Sequence, residues 1–446
     1  MTGVFLGWSL GDVADAVGGD LVGRSDRPVA AVVSDSRGDV DGGLFVALEG
    51  DTFDGHSYVD QVLSSGAVAV VVQSDSAVDA TPRIEVESTG DALAALAVKR
   101  RDELDIPTIA ITGSTGKTST KDLLAAGLDG SWASPRSFNN EIGVPLTVLS
   151  TPSDATALIL EVGTRGTGQI EWLAPIIKPS VSVITNLGLV HLETFGSLRN
   201  LANAKYELID ALGPGGVAVL PADEPSLLRE GSHKTITFGK TGADVMVTDV
   251  TTDDGGLPSF TLHTAEGDLL VSLPLPGAHH ASNTAAAVGV ALALGLEIEA
   301  FVSRLESATG SDWRMDVHRG RYTVVNDAYN ANPQSVESAL TTVASMSGRH
   351  IAVLGLMAEL GSACEREHIR LGRIASDLGF CELVVVGPDH GFAVGFGGNA
   401  RKAANIEDAA DTLAGIVEPG DVVLVKASRS ASLERLALQL IKDSAS

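Results

Sequence analysis

A short glycine-rich segment carries the strongest chemical signal in the chain. It follows the apolar stretch IPTIAIT and opens the helix-like stretch KTSTKDLLAAGL. Its residues are Gly113, Ser114, Thr115, Gly116, Lys117, Thr118 and Ser119. In such a loop, backbone N–H groups surround phosphates at a helix N-terminus, the lysine adds a positive charge, and the threonine hydroxyl can reach Mg²⁺. The loop is shorter than the usual GxxxxGK[ST], and a chance turn is the alternative, but its place between strand and helix predicts a nucleotide site.

Further candidates for the same site are Glu161, His191 and Asn140. Glu161 ends the apolar stretch ATALILE, and His191 follows the stretch SVSVITNLG. A carboxylate at the carboxyl end of a parallel strand commonly holds Mg²⁺ beside a phosphate loop, although an exposed loop acid is the alternative. Asn140 lies in SFNNEIGVP, where adjacent asparagines also serve as caps and turns. Lys205, in NANAKYELI, would by itself be a solvated lysine on a helix.

A second group of polar residues lies near strand ends in the last third of the chain. Arg314 precedes the stretch YTVVND, Asp327 ends it, and Asn330 comes just before a helix-like stretch. Lys426 and Arg429 close the stretch DVVLV. Caps and salt bridges are the plain alternatives to a binding role. Because ligands bind at the carboxyl ends of parallel strands, we expect the basic residues here to join the loop lysine in a positive cleft.

The elements that position these residues form three successive patterns. Residues 1–104 alternate short apolar strands with turns and end in a helix, and residues 105–308 alternate buried strands with helices. Such alternation predicts a parallel sheet with helices on both faces. Residues 234–275 favour antiparallel strands, and residues 309–446 return to strand–helix alternation. The chain is therefore predicted to be an α/β protein of three domains with these boundaries.

Composition limits the partners and the compartment. The 446 residues include 31 Lys and Arg against 57 Asp and Glu, a net charge of −26, which disfavours nucleic acid and anionic membrane surfaces. The two cysteines are expected to be reduced thiols. The N-terminus lacks a basic segment of the kind that starts a signal peptide, and no apolar run is long enough to span a bilayer. We expect a cytoplasmic protein, and a monomer.

The motifs together, in this order and over nearly the whole length, resemble the Mur ligase superfamily. The segments that carry the resemblance include the glycine-rich loop, FNNEIGVPLTVL, EVGTRGTGQIEWLAPIIKP, ITNLGLVHLETFGS, NDAYNANPQSVESAL and VKASR. The resemblance implies a P-loop-type central parallel sheet and a Rossmann-like C-terminal domain. YNANPQS and MAELG favour the branch that joins D-alanyl-D-alanine to a UDP-N-acetylmuramoyl-tripeptide in peptidoglycan synthesis. That reaction consumes ATP and passes through an acyl-phosphate.

The resemblance also implies roles for individual residues. Thr118 and Glu161 would hold one Mg²⁺, while His191 and a carbamylated Lys205 would hold a second. Lys117, Lys205 and His191 would be the catalytic residues. Outside the loop, the residues implied to contact ATP are Asn140, Asn283, Arg314 and Asp327. The residues implied to contact the other substrates are Ser36, Arg37, Asn330, Lys426 and Arg429.

The chain departs from the family pattern at three places. It has His279-His280 where the family has HN, Gly355-Leu356-Met357 where the family has GDM, and KASR where the family has KGSR. None of these changes touches the loop or the predicted metal ligands. Two alternative functions stay open at this point. One is a sibling ligase that adds the third stem residue, or a folylpolyglutamate-type synthase, and the other is a nucleotide-binding protein without turnover.

Overall fold

Three β-sheets in succession organise the chain, as seen in a computed structural model. The structure describes residues 4–50, 52–135, 137–188, 195–229, 231, 233–240, 242–397 and 400–445. Within these ranges the sheets have five, nine and six strands, and a two-stranded ribbon accompanies the first. No helix in the described ranges is long and apolar enough to cross a bilayer.

The first sheet has the strand order β1-β7-β6-β3-β2. Its pairings are parallel except for β1, which runs antiparallel to β7. The strands of this segment are β1 (Asp20–Val22), β2 (Ala31–Val33), β3 (Gly43–Val46), β4 (Glu49–Gly50), β5 (Phe53–Asp54), β6 (Ala69–Gln73) and β7 (Arg83–Val86). Its helices are α1 (Leu10–Val17), α2 (Val59–Ser64) and α3 (Thr89–Glu103).

The second sheet carries the glycine-rich loop at its centre. Its strands are β8 (Thr108–Thr112), β9 (Trp132–Ala133), β10 (Leu158–Glu161), β11 (Val181–Ile184), β12 (Val217–Pro221), β13 (Lys234–Gly239), β14 (Val245–Thr252), β15 (Pro258–Thr264) and β16 (Gly267–Ser272). Their order is β16-β15-β14-β13-β12-β11-β8-β10-β9. The described helices are α4 (Lys117–Gly127), α5 (Gly143–Leu149), α6 (Gln169–Ile177), α7 (Leu198–Asp210), α8 (His280–Ala293) and α9 (Ile298–Arg304).

The predicted antiparallel region is only half right. Strands β14, β15 and β16 do pair antiparallel, but β13 pairs parallel with both β12 and β14. Alternating burial predicts a strand, but it does not predict whether the strand runs parallel or antiparallel to its neighbour. That depends on the segment that connects the two strands. Residues 222–233, which join β12 to β13, are long enough to bring the chain back to the same end of the sheet.

The third sheet has the order β17-β18-β22-β19-β20-β21 and is parallel except for the β17–β18 hairpin. Its strands are β17 (Asp316–Arg319), β18 (Thr323–Asn326), β19 (His350–Leu354), β20 (Glu382–Val386), β21 (Arg401–Ala403) and β22 (Val422–Lys426). Its helices are α10 (Pro333–Ala344), α11 (Cys364–Asp377), α12 (Phe392–Phe396), α13 (Ile406–Ala414) and α14 (Glu434–Ala445). Each large sheet lies within one predicted segment, and the domain boundaries themselves stay predictions.

Apolar runs of Val, Ile and Leu explain why the central strands are buried on both faces. All five residues of β8 are buried, as expected for a strand covered by helices on either side. One apolar cluster joins Ile109 and Ile111 to the alanine-rich α8. Another joins Leu93 and Leu96 of α3 to Val144 of α5. The first segment therefore shares a core with the central sheet, while the carboxyl ends of β8, β10 and β11 are left to carry polar groups.

Candidate active site

The glycine-rich loop links the end of β8 to the start of α4. At two of its positions the backbone conformation and the close packing leave no room for a side chain. Gly113 and Gly116 have φ values of 149° and 80°, in the region that favours glycine. A Cβ on Gly113 would lie 1.9 Å from Thr185 Oγ1, and one on Gly116 would lie 2.5 Å from Asn283 Oδ1. The backbone of the loop is therefore packed directly against β11 and α8, with its N–H groups at the start of a helix.

Polar groups after β11 fix the loop in place. The Thr115 N–H donates to Asn186 Oδ1 at 3.0 Å, and the Gly188 N–H donates to Ser114 Oγ at 2.8 Å. The Lys117 ammonium donates to the Gly113 carbonyl at 2.8 Å, which folds the lysine over its own loop. Burial lowers the Lys117 pKa, Glu161 opposes that shift, and Arg314 adds to it. Contacts within the protein thus fix the conformation of the loop.

A cavity of about 1130 Å³ opens from this loop toward the third sheet. We call the lining residues that precede 310 the central wall, and those that follow 310 the C-terminal wall. The predicted site residues that line it are Gly113, Ser114, Thr115, Gly116, Lys117, Thr118, Ser119, Asn140, Glu161, Lys205, Asn283, Arg314, Asp327, Asn330, Lys426 and Arg429. The structure therefore gathers residues that lie more than three hundred positions apart in sequence. The basic residues expected in one cleft, Lys117, Arg314, Lys426 and Arg429, all line this cavity.

Glu161 and Thr118 form a pair of oxygen donors at the base of the central wall. The Thr118 hydroxyl donates to Glu161 Oε2 at 2.7 Å, and Asn139 Nδ2 donates to Glu161 Oε1 at 2.8 Å. Glu161 is only 1% exposed. Among the described residues, no group of three or more His, Cys, Asp or Glu side chains could hold a metal ion. A carboxylate and a hydroxyl suit Mg²⁺, which keeps waters and takes phosphate oxygens as its remaining ligands.

Lys205 lies on the buried side of α7 rather than on its surface, so the solvated-lysine alternative is wrong. It is 2% exposed and lines the cavity. No hydrogen bond or ion pair joins it to any residue that the structure describes. Burial holds its pKa well below the usual value, and the nearby Lys117 charge lowers it further. A buried lysine without a counter-charge favours the neutral amine, which is the form that reacts with CO₂.

Charged residues of the C-terminal wall pair with one another. The Lys426 ammonium donates to Asp327 Oδ2 at 2.6 Å and to the Asn330 carbonyl at 2.9 Å, and it is 2% exposed. Burial lowers the Lys426 pKa, while Asp327 opposes the shift. Asp327 Oδ1 also accepts from the Met315 N–H at 3.1 Å. A salt bridge was the plain alternative to a binding role for Lys426 and Asp327. The structure contains this salt bridge, and it lies in the wall of the cavity.

Two arginines of the same wall are held by aromatic rings. Arg314 lies 4.2 Å from the Tyr329 ring centroid and donates to Ser137 Oγ at 3.2 Å, which joins the two walls. Arg429 lies 4.8 Å from the Trp313 ring centroid. Guanidinium groups stacked in this way keep N–H donors at their edges for an anion.

Donors without partners mark the start of α8. His280 and Asn283 are buried, line the cavity, and leave His280 Nδ1 and Asn283 Nδ2 without a hydrogen-bond partner in the described chain. His279 Nδ1 lies 2.9 Å from Ser338 Oγ on the C-terminal wall. Buried polar atoms normally have partners, so these orphaned atoms fit a polar ligand in the cavity. A nucleotide bound against Gly116 would pass beside them.

Two predicted residues lie away from the cavity, and a third cannot be placed. Ser36 and Arg37 follow β2 and do not line the cavity, and Arg37 is exposed with its Nη2 2.8 Å from Asp35 Oδ2. His191 lies outside the described residues. Asn140 does line the cavity, but its Oδ1 also accepts from the Gly143 N–H at 2.8 Å, so it stabilises the turn before α5, a role that the alternative included.

Several lining residues had no assigned role in the sequence interpretation. Asn139 orients Glu161, and Asn186 holds the glycine-rich loop. Both asparagines lie in runs of polar residues between a strand and the next helix. Such a run predicts a ligand site, but it does not predict which of its side chains contacts the ligand. Gln334 and Glu359 come from the third segment, and no local pattern indicates that they approach the cavity.

Comparison with known proteins identifies the class of this site. Three family models match in succession: the Mur ligase family catalytic domain over residues 28–102, the Mur ligase middle domain over 111–291, and the Mur ligase glutamate ligase domain over 313–429. The chain belongs to the Mur ligase family. Its three-segment α/β fold and the superfamily resemblance predicted from the sequence are thereby confirmed.

Particular relatives narrow the comparison. The chain is 36% identical to the UDP-N-acetylmuramoyl-tripeptide–D-alanyl-D-alanine ligase of Mycobacterium tuberculosis, over 98% of each chain. A crystal structure of MurF from Acinetobacter baumannii superposes with a TM-score of 0.89 at 30% identity, covering 98% of this chain and 99% of that one. MurF ligase from Thermotoga maritima, solved in complex with ADP, gives a TM-score of 0.84 at 29% identity, covering 94% and 99%.

Proposed function

We propose that this Mur ligase joins D-alanyl-D-alanine to UDP-N-acetylmuramoyl-tripeptide in peptidoglycan synthesis, with ATP as the energy source. The observation that carries the proposal is one cavity bounded by a phosphate-binding loop on the central wall and by paired charges on the C-terminal wall. The relatives that match over their full length are named for this reaction, and one solved relative holds ADP. The enzyme is an ATP-dependent acid–amino-acid ligase.

The chemistry begins with a carboxylate, which is a poor electrophile until it is activated. The γ-phosphoryl group of ATP passes to that carboxylate and gives an acyl-phosphate and ADP. The dipeptide amine then attacks the acyl carbon, a C–N bond forms, the C–O bond to phosphate breaks, and phosphate leaves with the electron pair. No covalent enzyme intermediate is required, so the work of the protein is positioning and electrostatic stabilisation.

The central wall supplies that stabilisation. The loop N–H groups and Lys117 surround the β- and γ-phosphates, where negative charge develops during transfer. Thr118 and Glu161 are the residues that would hold Mg²⁺, which neutralises phosphate charge when bound. Asn139 keeps Glu161 turned toward Thr118. Asn140, Asn283 and Arg314 are proposed to contact the nucleotide, and Asp327 its ribose.

Lys205 is proposed to act as a carbamate. When the neutral amine adds to CO₂, an N–C bond forms, one amine proton is released to solvent, and the side chain becomes an anion with two oxygens, which suits a site for a hard cation. The burial of Lys205 beside Lys117 makes the uncharged amine available for that reaction. His191 is proposed as its partner in holding a second Mg²⁺, a role that comes from the family resemblance alone.

The remaining substrate contacts and the cellular setting are also proposals. Ser36 and Arg37 are proposed to bind the UDP-sugar from the first segment, and Asn330, Lys426 and Arg429 to face the substrates at the C-terminal wall. The acidic net charge of −26 supports a protein without nucleic acid partners. We propose a cytoplasmic monomer, because the reaction uses ATP and one chain contains both walls.

The test is a reconstituted assay with purified protein, ATP, Mg²⁺, UDP-N-acetylmuramoyl-tripeptide and D-alanyl-D-alanine. Phosphate release should require all components, and mass spectrometry should find the tripeptide substrate extended by the dipeptide. A sibling ligase would instead act on the dipeptide precursor with a single third residue. Phosphate release that ignores D-alanyl-D-alanine, or product only with another amino acid, would contradict the assignment. Binding of ATP without turnover would favour the non-enzymatic alternative.

A further inference from the structure

The C-terminal wall includes a short segment after β19 whose backbone makes a tight turn. We call residues 357–360 the wall segment. Its last three residues, Ala358, Glu359 and Leu360, line the cavity, and Glu359 has a φ of 64°, in the left-handed region. A non-glycine residue keeps that conformation only where its surroundings hold it there. The contacts that hold the wall segment therefore decide the shape of this part of the cavity.

One anchor of the wall segment comes from a neighbouring loop. The Ala358 N–H donates to Ser428 Oγ at 2.8 Å, and the Ser428 hydroxyl itself donates to the Ala331 carbonyl at 3.3 Å. These three residues follow β19, β22 and β18, which are adjacent strands of the third sheet. All three line the cavity, so Ser428 joins three loops of the C-terminal wall at the carboxyl edge of the sheet.

A second anchor lies behind the wall. The Met357 N–H donates at 3.1 Å to Nε2 of His368, a residue of α11, and His368 Nδ1 lies 2.7 Å from the Cys364 carbonyl oxygen. His368 is fully buried and does not line the cavity. Any effect of His368 on the reaction must therefore pass through the wall segment.

The two hydrogen-bond partners of His368 define its protonation state. A carbonyl oxygen only accepts, so Nδ1 carries the proton, and a backbone N–H only donates, so Nε2 carries none. Burial lowers the pKa of His368, the Cys364 carbonyl, Asp389 and Glu367 oppose that shift, and His390 adds to it. The ring is thus neutral, with Nε2 as the acceptor for the Met357 N–H. Without that acceptor the buried N–H would be left unsatisfied, which is costly enough to shift the backbone.

We infer that His368 is a positioning residue for ligation, which holds the wall segment in the cavity through the hydrogen bond from Met357. This inference rests on the proposed function, because the segment affects catalysis only where a substrate meets the C-terminal wall. His368 forms no bond to a substrate and transfers no proton in the reaction. Its contribution is the placement of the wall, since a displacement of about 1 Å can lower a rate by about 100-fold.

Two amide variants separate the acceptor for Met357 from the other features of the ring. His368→Gln places an amide oxygen near the position of Nε2, where it can accept from the Met357 N–H. His368→Asn places its amide near the position of Nδ1, so it can keep the contact with Cys364 but loses the acceptor. His350→Asn is the matched control, because His350 is partly buried on β19, its Nε2 lies 2.8 Å from the Met346 carbonyl oxygen, and it does not line the cavity.

The reconstituted ligation assay gives the first measurement. His368→Asn should lower kcat by about 10- to 100-fold, because the wall segment is displaced. His368→Gln should stay within about threefold of wild type, because it restores the hydrogen bond, and His350→Asn should match wild type. Melting curves check that each variant is folded at the assay temperature, so that a fall in kcat reports the site and not the amount of folded enzyme.

Hydrogen exchange measures the anchor independently of the reaction. The backbone amides of residues 355–361 should exchange about tenfold faster in His368→Asn than in wild type, because the local structure opens more easily. His368→Gln and His350→Asn should exchange like wild type. In addition, ¹⁵N NMR of the wild-type protein should find the His368 ring neutral, with its proton on Nδ1.

Four results would overturn the inference. Wild-type kcat in folded His368→Asn would show that the anchor does not matter for ligation, and unchanged exchange would show that His368 does not hold the segment. Equal losses of kcat in His368→Gln and His368→Asn would assign the effect to the ring and not to its acceptor. A proton on Nε2 in the wild type would exclude the hydrogen bond from Met357, even if His368→Asn failed to fold. If wild type never joins D-alanyl-D-alanine to the UDP-tripeptide, the proposed function fails, and the role of His368 in ligation fails with it, whatever the exchange rates.

Discussion

The two walls of the cavity satisfy their polar groups in different ways. On the central wall, His280 Nδ1 and Asn283 Nδ2 are buried without hydrogen-bond partners among the described residues, and Lys205 is 2% exposed. On the C-terminal wall, Lys426 and Asp327 neutralise each other at 2.6 Å. Unpaired buried groups are costly unless a ligand satisfies them, whereas a closed pair is stable alone. The unpartnered groups of the central wall therefore favour a bound ligand, whereas the Lys426–Asp327 pair also stabilises the wall that carries it.

The largest effect should come from the loop lysine on the central wall. Lys117→Ala should lower ligation by at least about 10³-fold, because it removes the charge that faces the transferring phosphoryl group. The cooperative melting transition should stay like that of wild type. Lys234→Ala, an exposed lysine on β13, is the control and should keep full activity. Normal turnover by Lys117→Ala would show that the phosphate-binding site is not on this wall.

Lys205 should give the next largest effect and a distinctive rescue. Lys205→Ala should lose nearly all activity, and millimolar short carboxylates should restore part of it by supplying the oxygens of the missing carbamate. Lys205→Arg should resist rescue, because its guanidinium fills the space with the wrong charge. The measurement is the rate of phosphate release with and without added acid. Wild-type rates in Lys205→Ala would disprove the role.

Breaking the charge pair of the C-terminal wall should act on stability first. Asp327→Asn leaves the buried Lys426 ammonium without its counter-charge, so the free energy of unfolding should fall by about 3 kcal/mol. The double variant Asp327→Asn with Lys426→Met removes the stranded charge and should recover much of that loss. Denaturant unfolding of the wild type, both single variants and the double variant measures the coupling. Strictly additive losses would mean that the pair does not stabilise this wall.

Near neutral pH the smallest effect is a pH dependence where the walls meet. Burial lowers the pKa of His279 to about 4, with Asp327 opposing the shift, and burial also holds the pKa of His280 well below its usual value. As pH falls below about 6.5, these two histidines bind protons in the unfolded chain but stay neutral in the folded chain. The free energy of unfolding should therefore fall toward pH 4, by about 1.4 kcal/mol per pH unit for each such histidine.

His280→Asn tests that dependence directly. It removes one of the two protons and should flatten the slope of the free energy of unfolding against pH. Chemical denaturation at several pH values between 4 and 7 provides the comparison. An identical slope in His280→Asn and wild type would show that His280 is not held neutral by burial.

Features that depend on neighbouring residues were predictable from the sequence, and contacts between distant segments were not. The strand–loop–helix unit around Gly116 is local, because its glycines, its strand and its helix are all encoded within about twenty residues. The pairing of Lys426 with Asp327 joins residues 99 positions apart. The direction of β13 likewise depends on a connection and not on its own residues.

The candidate site shows the same division. Glu161 could be placed from the end of its strand, but its partner Asn139 could not, because two adjacent asparagines give no sign of which one turns inward. Lys205 could be singled out only by resemblance, since a lysine on a helix is usually solvated. Its burial follows from the packing of α7 against the central sheet, which the helical pattern predicts only in outline. The left-handed backbone at Glu359 has no signature in MAELG at all.

The hydrogen bonds that join the two walls have a consequence for inhibition. Arg314 reaches Ser137 at 3.2 Å and His279 reaches Ser338 at 2.9 Å, so each contact holds one wall of the cavity against the other. A compound lodged between Arg314 and Ser137 would stop turnover by holding the halves apart, without resembling a nucleotide or a peptide. Raising the concentration of ATP would not displace such a wedge. Its potency would depend on how often the enzyme opens.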